Sequence, residues 1–377
     1  MNIIKYFTLL LVSAFLFSCS SEELPFTIPT SDARTVLVYL GTDNNFRAEA
    51  SQKIESLRTN WNKNTDGNLL VYADAGGNAA LVHIYFNPQR GNVADTIAVY
   101  PAENSANPQT LTRVLNDVKS YRPANSYGLV VLSHATGWLP AEMSKPILSL
   151  FSIIWDTGTA ETDNYMELSA FAEAIPYKLD FIIFDACFMG SVEVCYELKD
   201  MADYIVASAA EVVSPGFVYS TMMQHLFQPQ ADLIAVATDF FEYFNAQSGL
   251  YRSATVSVTK TAELENLKSI CHSALNAESP RNDAAINGMQ TFGYGQQKIY
   301  FDLGDCIQKL SSEQYTAFQD ALDKCVLYKA HTDSYYSAGT ATLQPIHMFS
   351  GLSTYIPQEA YTAANEAYSK LKWVEWD

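Results

Sequence analysis

Five short runs of unbroken apolar residues constrain the fold of this chain more than any other feature. They read TVLVYLG (35–41), LLVYA (69–73), YGLVVLS (127–133), FIIFD (181–185) and YIVAS (204–208). Successive strand side chains point to opposite faces of a sheet, so a run without alternation predicts a strand covered on both faces. Between these runs apolar residues recur at helical spacing. Phe46, Ala50, Ile54, Leu57 and Trp61 form one stripe, and Leu111, Val114, Leu115 and Val118 another. A third helix is expected over about 166–176. Residues 81–86 read as a further strand, set in a hairpin, and Asp43, Asn44 and Asn45 as a turn and helix cap. Strand–helix alternation of this kind predicts an α/β fold with a parallel sheet between two helical layers. Beyond residue 220 the pattern predicts mostly helix, over 231–248, 259–277 and 311–329, with a late strand at 351–356 and a final helix near 359–371.

The N-terminus bears on compartment. Lys5 precedes an apolar run from Tyr6 to Phe17, which ends in Ser18-Cys19. About a dozen apolar residues suit an export signal and are too few to span a bilayer. Cys19 after a small residue reads as a lipidation site, with 1–18 removed and 19–33 a polar tether; plain secretion with cleavage near Ser18 is the alternative. The expected mature protein is exported and held by a lipid anchor at the outer membrane or cell surface. Ser20-Ser21-Glu22-Glu23 is similar to the acidic export tag of some surface lipoproteins.

The chain is 48% hydrophobic with a formal net charge of −18, and losing Lys5 with 1–18 would make it −19. Such a body argues against nucleic acid as a partner and favours basic ones. Six cysteines, at 19, 187, 195, 271, 306 and 325, contain no CxxC pair, and no His/Cys cluster has zinc spacing. Acylation of Cys19 leaves an odd number, hence at least one free thiol. No cofactor is indicated, although a calcium dependence is compatible with the sequence.

His134 follows the strand YGLVVLS, and Cys187 follows FIIFDA, 53 positions later. Ligands of open parallel sheets bind beyond the carboxyl ends of the strands, so the two fall on the functional edge. A thiol needs a base within hydrogen-bond reach to become a nucleophile, and a helix starting just after Cys187 would add a favourable dipole. Either residue alone reads more readily as a core cysteine or a structural histidine; the joint placement and order point to a cysteine nucleophile with an upstream histidine.

Four segments carry a resemblance to the clostripain-like cysteine peptidases of the caspase/gingipain fold. They are TVLVYLGTDNNF (35–46), LVVLSHATGWLP (129–140), FIIFDACFMGSVEVCYELKDMADYIVAS (181–208) and FSGLSTYIP (349–357). The resemblance implies a caspase-like α/β/α sandwich, with a catalytic core over 34–220 and a largely helical part over 221–377 completing the fold. It implies Cys187 as nucleophile, His134 as base, and the backbone N–H groups of Cys187 and Ala135 as oxyanion hole. Ala135 stands where the family usually has glycine, which matters if that position needs φ > 0. Cleavage after Arg or Lys is implied by Asp185, a carboxylate two residues before the nucleophile. Asp185 reads alternatively as a cap on a backbone turn. Pro215 replaces the second pocket acid, leaving Glu211 as a nearby substitute, while Ser208 lines the pocket or is a strand-end polar residue. Glu193 reads as a structural hydrogen-bonding group. The remaining cysteines read as inert, and His83, His225, His272, His331 and His347 as residues without matched neighbours. The expected protein is a monomer acting on peptides or proteins; the rival is an inactive surface lipoprotein that binds or scaffolds. Relatives cut themselves between histidine and cysteine, but Pro146 follows Lys145 here, which favours a single chain or a cut elsewhere, such as after Lys178.

Overall fold

The computed structural model describes residues 34–140, 154–156, 165–275, 281–295 and 297–375. The signal, the lipidation site at Cys19, the tether and Lys145 lie outside the described residues. Nine strands form one sheet in the order β10-β8-β7-β6-β5-β1-β2-β3-β4. They are β1 (Arg34–Gly41), β2 (Gly67–Asp74), β3 (Ala79–Asn87), β4 (Gly91–Tyr100), β5 (Ser126–Leu132), β6 (Leu179–Asp185), β7 (Ala202–Ala207), β8 (Thr255–Lys260) and β10 (Val326–His331). The five apolar runs are the five central strands, β2-β1-β5-β6-β7, and all four of their pairings are parallel. Within the sheet only β3 and β8 run against the others.

Alternate residues of the central strands feed two separate cores. Leu37, Tyr39, Ile182 and Phe184 face one helical layer, which includes α2 (Pro108–Tyr121), α3 (Leu168–Ala174), α4 (Val192–Glu197), α7 (Leu264–Leu275), α8 (Leu303–Leu310) and α9 (Tyr315–Cys325). Val36, Val38, Phe181 and Ile183 face the other, built from α1 (Arg47–Thr59), α5 (Tyr219–Leu226) and α6 (Leu233–Asn245). Fully burying each such side chain stabilises by about 1.5–3 kcal/mol, so the sheet is fixed from both sides. This is the α/β/α sandwich with a mostly parallel sheet that the apolar runs predict.

The structure corrects the reading beyond residue 220. The predicted helices 259–277 and 311–329 each overlap a strand, β8 and β10, and these strands extend the central sheet. β10 alternates buried and exposed residues at the sheet edge, so it lacks an unbroken apolar run. The late strand shrinks to β13 (Ser353–Thr354), which pairs antiparallel with β9 (Phe301–Asp302) outside the main sheet. The helix expected straight after Cys187 begins only at Val192, capped by Ser191, and has six residues. A helix dipole acts within its first turn, so no dipole assistance is assigned to Cys187.

Candidate active site

The chain leaves β1 for β2 on one side and returns to β5 on the other, so the order of the sheet reverses between β1 and β5. A crevice opens at the carboxyl ends of strands at such a point. Asn45 follows β1, His134 follows β5, and Cys187 follows β6. In the β5–β6 ladder Leu132 stands opposite Asp185. His134 and Cys187 each lie two residues beyond that last pair, so the 53-position spacing in the sequence equals the offset of the strand register.

The imidazole of His134 is clamped. Its Nε2 lies 2.5 Å from Asn45 Oδ1. Phe46 stacks on its ring at 4.2 Å between centroids, and Trp155 leans on it at 5.4 Å. The turn behind this clamp is held by Asn44, whose amide donates to the carbonyls of Gly41 and Trp155 and whose Oδ1 accepts from the Phe46 N–H. The helix-cap position is therefore taken by Phe46, without a side-chain cap, and Asn45 serves the histidine instead. Burial lowers the His134 pKa to about 4, so the ring is neutral at pH 7 and able to accept a proton.

The Cys187 sulfur accepts from the Val212 N–H at 3.3 Å and lies 3.9 Å from the Val212 carbonyl. Burial first, then the nearby Glu211 carboxyl, raises its pKa to about 12. The backbone N–H groups of Ala135 and Cys187 have no hydrogen-bond partner among the described residues. Two unpaired donors beside a thiol suit an oxyanion hole. Ala135 is not among the residues with positive φ, whereas Gly137 is, at 63°. The alanine therefore brings no backbone strain, and the doubt attached to it falls away. Phe188, directly after Cys187, does adopt φ 60° and is fixed by stacking on Tyr300 at 4.6 Å. Strained backbone of this kind is held only where the surroundings over-determine it, and it turns the chain sharply at Cys187.

Asp185 shares the strand parity of Phe181 and Ile183, so it faces α1 and α5. Its Oδ1 accepts from the Phe217 N–H at 3.2 Å, and its Oδ2 lies 3.6 Å from Lys53 Nζ on α1. Both side chains are buried, at 2% and 8% exposure. Gly216 lies against this carboxylate at φ 73°, and a Cβ there would fall 2.1 Å from Oδ1.

Two expected pocket residues stand elsewhere. Ser208 is wholly buried, bonded to Thr255 Oγ1 at 2.8 Å and to the Ala210 carbonyl, so it shapes the strand end. Glu211 accepts from the Ala338 N–H at 2.9 Å and anchors the hairpin β11 (Ser334–Ser337) and β12 (Thr342–Pro345). Neither borders the small cavity beside Cys187, whose lining includes Asp185, Val212, Pro215 and Gly216. Glu193 makes the structural bonds expected, accepting from Thr354 Oγ1 and the Tyr355 N–H, both at 2.8 Å. His225 proves to have a partner, Asp239, at 2.9 Å, which sequence spacing did not reveal. Cys195, Cys271, Cys306 and Cys325 are free and buried. Among the described residues no group of three or more His, Cys, Asp or Glu is arranged to hold a metal ion.

The model of the clostripain family of C11 peptidases matches residues 38–376. The chain belongs to the clostripain family. Clostripain of Hathewaya histolytica is 25% identical over 223 residues, 51% of this chain and 42% of clostripain, so the match spans less than half of that relative. An inactive zymogen C11 protease from Parabacteroides distasonis is 32% identical, with a TM-score of 0.79 over 92% of this chain and 98% of its own. A secreted C11 cysteine protease from Bacteroides thetaiotaomicron, solved with an irreversible peptide inhibitor, is 28% identical, with a TM-score of 0.80 over 92% and 99%. The caspase-like sandwich is thus the clostripain-family fold.

Proposed function

We propose that this chain is a cysteine endopeptidase using a Cys187–His134 dyad. The observation that supports the reading best is the β5–β6 register, in which His134 and Cys187 each follow by two residues the paired ends Leu132 and Asp185, together with the Ala135 and Cys187 N–H groups that lack partners among the described residues. On substrate binding the neutral imidazole takes the thiol proton as sulfur attacks the scissile carbonyl. The Ala135 and Cys187 N–H groups receive the developing oxyanion, and the imidazolium protonates the leaving amine. Water then hydrolyses the thioester with His134 as base. This chemistry needs no cofactor from outside the chain.

At rest the site is closed. The thiol is held at Val212, and the cavity beside Cys187 encloses only about 20 Å³. The substrate must therefore help to assemble the dyad, and the acyl donors are peptides or proteins. Export and anchoring through Cys19 belong to the same reading. Among the described residues no helix is long and apolar enough to cross a membrane, so an acylated Cys19 would be the attachment. Cleavage after Arg or Lys was expected from a free Asp185, and that carboxylate is met here by Lys53.

The deciding experiment profiles residues 20–377 and its Cys187→Ala variant against a peptide library. Hydrolysis lost with Cys187 and nearly lost in His134→Ala supports the dyad. Hydrolysis retained in a clean Cys187→Ala preparation overturns it. No hydrolysis in either preparation would favour the inactive binding protein.

A further inference from the structure

Asp185 faces away from the cleft as much as towards it. The wall between the two sides is Pro215–Gly216, which borders both the small cavity at Cys187 and a second one of about 250 Å³ between α1 and the start of α5. Lys53 borders only the second cavity, and Asp185 only the first. Lys53 reaches the carboxylate from behind. Its ammonium lies 3.6 Å from Asp185 Oδ2, donates to the Pro215 carbonyl and, at 3.4 Å, to that of Phe217, and sits 4.0 Å from the centre of the Tyr219 ring. A carboxylate, two carbonyls and an aromatic face are what a protein uses to recognise a basic side chain. Here the basic side chain belongs to the chain itself.

We infer that Lys53 is a built-in occupant of the basic-residue site at Asp185, so the cleft beside Cys187 selects an uncharged side chain before the scissile bond. The inference rests on the peptidase reading for its substrate and on the geometry alone for Lys53. Two further features support it. The cavity beside Cys187 measures about 20 Å³ in the resting protein, so no pocket for a guanidinium is preformed there. An arriving Arg or Lys would also share one buried carboxylate with Lys53, or leave that ammonium buried without it. Lys53 cannot easily withdraw, since α1 is pinned to the core on either side of it by Ala50 and Leu57. Glu49, one turn earlier on α1, supplies the other carboxylate at the cleft, and it accepts from Ser214 Oγ at 3.0 Å.

The test compares kcat/KM for peptides differing only in Arg, Lys or Ala before the scissile bond. In the native sequence the Arg and Lys peptides are expected to be no better than the Ala peptide. Lys53→Met frees the carboxylate and is expected to raise the Arg:Ala ratio at least tenfold, and Lys53→Met with Asp185→Asn returns it to the native value. A ratio is read because it is unaffected by partial loss of active protein. Lys53→Gln, which keeps a donor for the Pro215 carbonyl, replaces Lys53→Met should that variant not fold. Agmatine binding, followed as a thermal shift, supplies a readout that needs no hydrolysis: Lys53→Met should be stabilised at millimolar agmatine and the native chain should not. If nothing is hydrolysed, the peptidase reading fails while the agmatine result still decides for or against Lys53. A native preference for Arg or Lys of tenfold or more, unchanged in Lys53→Met or abolished by Glu49→Gln, overturns the inference.

Discussion

Alkylation of Cys187 by iodoacetamide should be slow in the resting protein, because the thiol is protonated and buried. The structure raises the thiol pKa from 9.0 to about 12, mainly by burial and secondarily by Glu211. At pH 7 the thiolate fraction then falls from about 10⁻² to about 10⁻⁵, a thousandfold loss of the reactive form. A more basic thiolate is intrinsically the better nucleophile, with a Brønsted coefficient of about 0.4–0.5, which over three units returns about twentyfold. The net expectation is alkylation about fiftyfold slower than that of an ordinary exposed cysteine, rising tenfold per pH unit without a plateau up to pH 10. The assay is intact mass against time over pH 6–10 on residues 20–377, with peptide mapping to place the label. The four other thiols are at most 1% exposed and serve as the unreacted background. An irreversible peptide-like electrophile, which fills the cleft as a substrate does, should label Cys187 faster than iodoacetamide at pH 7. Fast iodoacetamide labelling at pH 7 with a midpoint below 7 would refute the argument, since it would reveal a preformed thiolate–imidazolium pair.

Other outcomes follow from the same contacts. Asn45→Ala removes the group that orients His134 and should lower kcat about tenfold with little change in KM, measured by steady-state kinetics. Gly216→Ala combines φ 73° with a Cβ lodged against Asp185, and chemical denaturation should show a loss of at least 2 kcal/mol. The pKa values of Glu193 and Glu211 are raised to about 7, first by burial, so folding favours their protonated forms. The cost of ionising them is absent below their unfolded pKa near 4.5 and complete above 7. Thermal stability should therefore rise as pH falls from 7.5 to 5, and Glu193→Gln should flatten that rise. Cys19→Ser should release the protein from the detergent-soluble membrane fraction to the soluble one, read by immunoblot of fractionated cells.

The central sheet was legible because burial on both faces writes itself as an unbroken apolar run, and the spacing of His134 and Cys187 was legible because both end such runs. β10 was not, since an edge strand with one wet face looks like the tail of the preceding helix. The partner of Asp185 left a fainter mark. Lys53 sits three residues after Ala50 and four before Leu57, inside the buried stripe of α1, where a lysine needs a counter-charge. Nothing in the sequence says which carboxylate supplies it, because strand parity and helix rotation must both be known first. Asn45 was read as a cap because turns and caps share residue types, and only the closeness of β1 to β5 turns it towards the histidine.

The β5–β6 pairing also joins the strands that lead to His134 and Cys187 independently of the peptide between them, although Trp155 of that peptide rests against the His134 ring. The strands that end just before His134 and Cys187 are held by backbone ladders, with β5 clasped by β1 on one side and β6 by β7 on the other. A break in the peptide chain between Pro140 and Asn164 would leave β1 to β5 on one polypeptide and β6, β7, β8 and β10 on the other, still hydrogen-bonded along the β5–β6 seam. Such a nicked protein would migrate as two fragments in denaturant and as one body without it. The connecting segment can therefore be severed without parting β5 from β6, provided Trp155 keeps its place against the His134 ring.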